Sequence, residues 1–298
     1  MSSSPFNESA GSTSVDRLLE SESSGSSDVE VVVHRDVVNP VAEEIAESDL
    51  PHRGGYDWVS PEVTRYFSRY RWSSSVETFV TATPVLSASV KEGDIRAVRA
   101  SAIDNVCHGR EAQDGDFFFV YCCMFNDSFV PMPFDEFTMG VLRLLNVAPT
   151  QLHPNAWASL QAFRALTEVF RLNPSPKVFL SYYTTHPASP CKWVSLVSKP
   201  GEVLFTPFNS SYKYFKDAFF KICIEQPGRH FFFDGETPKF PLVWTRNPTV
   251  LKAEGRVSLS EDDRKMYSIL DQLPRKLPVR QVLSCLVLPN PARVFQGK

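Results

Sequence analysis

Large apolar side chains are few in residues 1–50, where Ser and acidic residues dominate. Such a segment cannot bury enough surface to offset its ordering entropy. A disordered acidic, Ser-rich tail is therefore predicted over 1–50, with a strand-like patch at Val29–Val33. Beyond it the apolar spacing becomes helical. Ser60 can cap a helix with Pro61 at its first position and Glu62 in its first turn, and Val63, Tyr66, Phe67 and Tyr70 recur at i, i+3, i+4 and i+7. The run "DFFFVYCCMFNDSFVPMPF" (116–134) reads as a strand, a turn at Asn126-Asp127 and a short extended piece.

Three helices should follow. The first starts near Phe134, carries Asp135 and Glu136 in its positive first turn, and puts Phe134, Phe137, Val141, Leu144 and Leu145 on one face, with Asn146 as its stop. The second has Pro154 at its first position and His153 as its cap. Its face is Trp157, Leu160, Phe163, Leu166 and Phe170, and Asn173-Pro174 closes it. The third, 176–184, buries Val178, Phe179, Tyr182 and Tyr183.

The spacing then changes. Residues 192–206 carry β-rich arms around Pro200-Gly201, a type II turn signature. Residues 212–224 fit a helix or a strand, and their aromatics favour a strand with Tyr214, Ala218, Phe220, Ile222 and Ile224 on one face. Strands are expected at 229–233 and 241–245 around an Asp234-Gly235 turn. A last helix lies in 258–274, with Ser260 as cap and Asp263 three residues on. The fold class is thus α+β: a helical bundle-like centre packed with a small antiparallel β-sheet. A single domain spans 51–285, between tails 1–50 and 286–298.

Composition changes this picture little; charge changes it more. Hydrophobic residues make up 43% of the chain and Phe alone numbers 23, ample for a core. The formal charge of −3 is uneven: residues 1–50 carry −9, which leaves +6 on the remainder. A mildly basic body is compatible with RNA or DNA as a partner. The polar start lacks a secretory signal, and no apolar run approaches the ~20 residues of a membrane span. An intracellular protein, cytoplasmic or nuclear and without a membrane partner, is expected. Its six cysteines should then be thiols and its sequons at Asn7, Asn126 and Asn209 unused.

Candidate chemistry is sparse. The cysteines contain no C-x₂-C, and Cys122-Cys123 in a strand would point to opposite faces, so no zinc site is assigned. Asp234-Gly235 is better read as a hairpin turn than as an aspartic protease motif. Glu261, Asp262 and Asp263 complement a helix dipole, and no phosphate-binding loop occurs. His153, without a partner at a useful spacing, reads as a cap. No catalytic residue, metal ligand or cofactor is assigned. Unpatterned acids such as Asp94, Asp104, Asp116, Asp217 and Asp234 leave a metal-dependent nuclease open, since such carboxylates meet only in the fold. Arg65, Arg69, Arg71 and Trp72 are the candidate nucleic-acid contacts. They are either a stacking surface for single strands or the solvated face of an amphipathic helix. Ser26 and Ser27 precede acidic residues and are candidate phosphoacceptors against the plainer reading of a solvating tail.

Residues 120–186 carry a resemblance, above all "LNVAPTQLHPNAW" (145–157), with Pro131–Phe134, "PSPKVFL" (174–180), "FPLVWTRNP" (240–248) and "ILDQLPRKLPVRQVL" (269–283). The sequence resembles the plant gypsy-type transposon domain, also labelled plant transposon protein, over roughly residues 50–285. These domains come from retrotransposon-derived reading frames abundant in legumes. The resemblance implies a gag-like, non-catalytic structural or interaction role, through self-association, a protein partner or nucleic acid. The alternative, taken from the family's transposase label, is a metal-dependent transposase or nuclease acting on DNA. The family supplies no catalytic residues to carry over. Its members often continue into a coiled coil, absent here, so a shortened copy is expected.

Overall fold

The computed structural model describes residues 54–111, 114–187, 191–206, 214–252, 258–284 and 286, all within the unit Ile45–Lys298. The readings of 1–50 and of 287–298 lie outside the described residues. The fold is α+β. In chain order its elements are α1 (Pro61–Thr64), α2 (Ser73–Ala82), β1 (Ile95–Val98), β2 (Phe117–Tyr121), α3 (Cys122–Asn126), α4 (Glu136–Leu145), α5 (Pro154–Val169), α6 (Pro176–Ser181), β3 (Tyr183–Pro187), β4 (Val194–Ser198), β5 (Phe219–Ile224), α7 (Arg229–Phe232), β6 (Phe233–Asp234), β7 (Thr237–Pro238), α8 (Glu261–Asp271) and α9 (Val279–Ser284).

The helices begin where their caps stand. The Asp135 carboxylate accepts from the Thr138 N–H at 2.8 Å and starts α4, which Asn146 ends in the left-handed region (φ 52°). His153 Nδ1 accepts from the Asn155 N–H at 3.2 Å and starts α5. Ser260 and Asp263 form a reciprocal capping box on α8. Helix α5 buries Trp157, Leu160, Phe163 and Leu166. It stops before Asn173, because Arg171 turns left-handed (φ 54°) and the Leu172 N–H returns to the Thr167 carbonyl at 2.8 Å. Phe170 consequently leaves the buried face and is 41% exposed.

The main sheet is antiparallel, in the order β1-β5-β2, with Ile95 opposite Ile224, Phe117 opposite Cys223 and Tyr121 opposite Phe219. Every residue of β2 is buried. Phe118 packs on one face against Phe134, Phe232 and Phe240, with centroids 5.3–5.5 Å apart, and Phe119 on the other against Phe219 at 5.3 Å. A strand covered on both faces reads as an unbroken apolar run, which is why this stretch lacks alternation. Of the expected face on β5, Ala218, Phe220, Ile222 and Ile224 are buried, but the strand begins only at Phe219 and Tyr214, ahead of it, is exposed.

The signature string 145–157 is a clasp between the helices and the segment 240–248. Buried Gln151 accepts from the Thr245 N–H at 2.9 Å and donates to the Thr245 carbonyl at 2.8 Å. Thr150 Oγ1 accepts from Trp244 Nε1 at 3.0 Å, and Trp157 Nε1 donates to the Pro149 carbonyl at 3.2 Å. Segment 241–245 is therefore not the expected strand, since a side-chain amide has taken a backbone pairing role.

Other expectations also need correction. Strand β2 ends at Tyr121, and residues 122–126 are helical, so Cys122 and Cys123 sit on a helix. A uniformly apolar stretch carries no period from which such a switch could be read. Residues 183–187 leave α6 and pair as β3 with β4, Tyr183 facing Ser198. Gly201 does make the expected turn (φ 80°), yet its second arm forms only the bridge Phe205–Leu277 among the described residues. Residues 229–232 are one helical turn rather than a strand; the Asp234-Gly235 turn stands, joining β6 and β7. Helices α2 and α9 were not anticipated. Among the described residues no helix is long and apolar enough to cross a membrane.

Candidate nucleic-acid interface

The helix expected from the Ser60 cap, with its face of Val63, Tyr66, Phe67 and Tyr70, is a single turn. Ser60 Oγ accepts from the Glu62 N–H as anticipated, but α1 stops at Thr64. The cause is Asn105, a buried amide whose Nδ2 donates to the carbonyls of Val63, Thr64 and Tyr66 at 3.3, 2.8 and 3.0 Å. Those carbonyls would otherwise continue the helical ladder.

Residues 66–72 run on as an irregular extended segment. The Arg69 N–H donates to the Asp217 carbonyl at 2.9 Å, and the Ala100 N–H to the Tyr70 carbonyl at 3.0 Å. Ser68, completely buried, donates to the Phe219 carbonyl and accepts from the Tyr70 N–H. The helical period is lost: Ser68 is buried and Tyr70 packs against Phe79 and Phe220, while Arg69 between them is exposed and Arg71 is half-buried. The segment thus links two groups of cations instead of presenting one helical face.

At the first end, Arg65 Cζ and Lys216 Nζ each lie 5.1 Å from the centroid of the Tyr66 ring, and Lys216 Nζ also lies 5.0 Å from that of Trp193. Lys192 pairs with Glu62. The Lys192 hydrogen bond and charge, with Lys216 and Arg65 behind them, hold the Glu62 carboxyl below its usual value. One acid therefore faces three cations. Tyr214, two residues before Lys216 in the chain, is 75% exposed. Cations over aromatic faces are the elements of a stacking platform for single strands.

The second end holds Arg71 and Trp72. Trp72 is 65% exposed, and Arg99 Nη1 donates to the Arg71 carbonyl at 3.3 Å. Arg99 leads into a groove of about 400 Å³ on the open face of β1 and β5, which Arg96, Lys221 and Asp116 also line. Its charges are largely matched. Arg96 pairs with Glu225 at 2.7 Å, Lys221 with Asp104 at 2.7 Å, and Asp116 receives both Arg110, at 3.1 Å, and Arg229. Of the four expected contacts, Arg65 thus joins the first end, Arg71 and Trp72 the second, and Arg69 lies between. Lys192, Tyr214, Lys216 and Arg99 were missed. Only the alternation "YKYFK" (212–216) hinted at any of them.

The acids proposed for metal chemistry do not converge. Among the described residues no group of three His, Cys, Asp or Glu could hold a metal ion. Asp104 and Asp116 are instead committed to cations. Burial pushes the Asp104 carboxyl up, but Lys221 and the Ser101 N–H outweigh it and hold the group below its usual value. Burial pushes the Cys122 thiol up to about 12, and raises Cys123 and Cys223 too, so these thiols are poor nucleophiles and ligands.

His153 lines a separate cavity of about 290 Å³ at the start of α5, with Asn155, Ser159 and Tyr183. Burial, then the Lys216 charge, hold its imidazole below 6.5, and its ring meets Phe215 edge-on at 5.7 Å. Among the described residues the cavity lining contains neither an acid nor a thiol.

No protein-family model matches the chain, and no curated protein or solved structure matches it either.

Proposed function

We propose that this protein is a non-catalytic, gag-like interaction domain of retrotransposon origin, working inside the cell, that binds single-stranded nucleic acid along residues 65–72. The carrying observation is the first end of that segment, where Arg65 and Lys216 flank the Tyr66 ring and three cations face one carboxylate. Phosphates would meet Arg65 and Lys216, held over the Tyr66 ring, together with Lys192 and Arg69, while unpaired bases stack on Tyr214 and, farther along, Trp72. The origin rests on the signature string 145–157, whose polar residues serve the clasp and the α5 cap described above.

Fluorescence anisotropy of the full chain with a labelled ssRNA 12-mer tests this reading. Three to four neutralised phosphates predict a slope of log K against log salt of roughly −2 to −3. Arg65→Glu should weaken binding at least tenfold, and a duplex of the same sequence should bind more weakly than the single strand. Absence of binding at 50 mM salt, or Mg²⁺-dependent cleavage of the strand, would refute it.

A further inference from the structure

The cavity at the start of α5 has the features of a binding site that the interface alone does not use. Its volume, about 290 Å³, lies at the lower edge of small-molecule sites and suits a group of nucleobase size. Among the described residues its lining carries hydroxyls and one side-chain amide on apolar walls formed in part by Phe205 and Tyr183, and no acid, lysine or arginine. Tyr183 is buried and hydrogen-bonded by Ser159.

Two of its polar groups are left with capacity. The buried Oδ1 of Asn155 has no hydrogen-bond partner among the described residues. A buried acceptor without a partner is destabilising and calls for an explanation. Asn155 lines the cavity, and rotation of its amide about the Cβ–Cγ bond gives up no hydrogen bond of Oδ1. His153 is the second group. Its Nδ1 accepts the Asn155 N–H, so in the neutral ring the proton sits on Nε2, which remains a donor. The wall therefore offers one acceptor beside donors from an imidazole and from serine hydroxyls, all uncharged.

We propose that this cavity takes an unstacked pyrimidine through its imide edge, an N–H flanked by two carbonyls, as in uracil or thymine. The Asn155 oxygen accepts the ring N–H, and His153 Nε2–H with a serine hydroxyl donates to the carbonyls. The cavity adjoins the first cation cluster through Phe215, which meets both His153 and Trp193 edge-on, at 5.7 and 5.4 Å. Lys216, whose charge also acts on His153, therefore lies between the cation cluster and the cavity, and the proposal places the base of a strand bound over Lys216 in that cavity. This placement rests on the proposed function, but occupation of the cavity by a base can be tested without it.

The probe is uridine, which has no phosphate for the cations, titrated into the full-length protein with saturation-transfer NMR. Uridine is expected to bind in the millimolar range or tighter. 3-Methyluridine, whose ring N–H is blocked, should bind at least tenfold more weakly. Asn155→Leu should abolish uridine binding while leaving thermal stability equal or higher, since it removes an unsatisfied acceptor. Arg65→Glu should leave uridine binding unchanged. No uridine binding, or equal binding of uridine and its 3-methyl derivative, overturns the inference. If oligonucleotides bind and uridine does not, the interface stands without the base site; the converse result leaves the site and removes the interface.

Discussion

Lys221→Met removes one charge from a nearly closed ion pair and keeps the apolar stem. Lys221 Nζ lies 2.7 Å from Asp104 Oδ2, with the two side chains 15% and 7% exposed, and 4.4 Å from the Phe117 ring centroid. In the variant, Asp104 retains the Ser101 N–H at 2.6 Å but loses its countercharge. Breaking a buried pair by removing one partner costs about 3–5 kcal/mol, and the surviving hydrogen bond puts the expectation near the lower bound, about 3 kcal/mol at pH 7. With a urea slope of ~2 kcal/mol/M, the unfolding midpoint followed by Trp fluorescence should fall by roughly 1.5 M. The sign of the pH dependence follows from Asp104. In the parent its folded pKa is depressed, so the pair's contribution is complete above the ordinary carboxylate value and is lost as pH falls through the folded value. In the variant, burial dominates and the folded pKa is raised. The penalty is then full at neutral pH and fades as pH falls toward the unfolded value. The difference between the proteins should therefore shrink between pH 7 and pH 4, and adding Asp104→Asn should recover about half of it at pH 7. A deficit below ~1 kcal/mol at pH 7, or one that is the same at both pH values, would show that the pair behaves as a surface contact.

Further expectations are equally direct. Gly228→Ala would place a Cβ 2.0 Å from the Asp94 carbonyl oxygen, which cannot give way without breaking the Glu225 N–H bond to it, so a loss of about 3 kcal/mol is expected in the same assay; Gly115→Ala, which meets no atom within 4 Å, is the control and should be silent. The imidazole of His153 should titrate below 6.5 by NMR and show the Nε2–H tautomer when neutral; because the folded value is the lower one, its contribution to stability is complete above the unfolded value and declines as pH falls below it, and a titration above 6.5 would contradict the buried cap.

How much of this could be read in advance depended on distance along the chain. Asn146, His153 and Ser260 act on backbone groups at most a few residues away, so these caps were legible as local chemistry, whereas Asp135, expected inside the first turn of a helix starting near Phe134, is itself the cap of α4. The faces of α5 and β5 were legible because burial on one side imprints a period on the sequence. Two errors share the opposite cause. Nothing near 60–72 announces that Asn105, some forty residues later, takes the carbonyls that would have extended α1. Nothing in 192–206 says that its first arm prefers 183–187 to its own second arm.

The candidate interface followed the same division. Residue types supplied Arg65, Arg69, Arg71 and Trp72, but Lys192 and Lys216 joined them only through packing around Tyr66 and Trp193. By itself, then, the amino-acid order determined the α+β class, the capped starts of α1, α5 and α8 and the core-facing periods of α5 and β5, since each is set by interactions within a few residues. The tertiary structure alone decided where α1 ends, which strands pair, which acids meet cations and which cations meet rings. Those outcomes depend on contacts between distant segments, and a side chain's partner across such a distance leaves no period in its own neighbourhood.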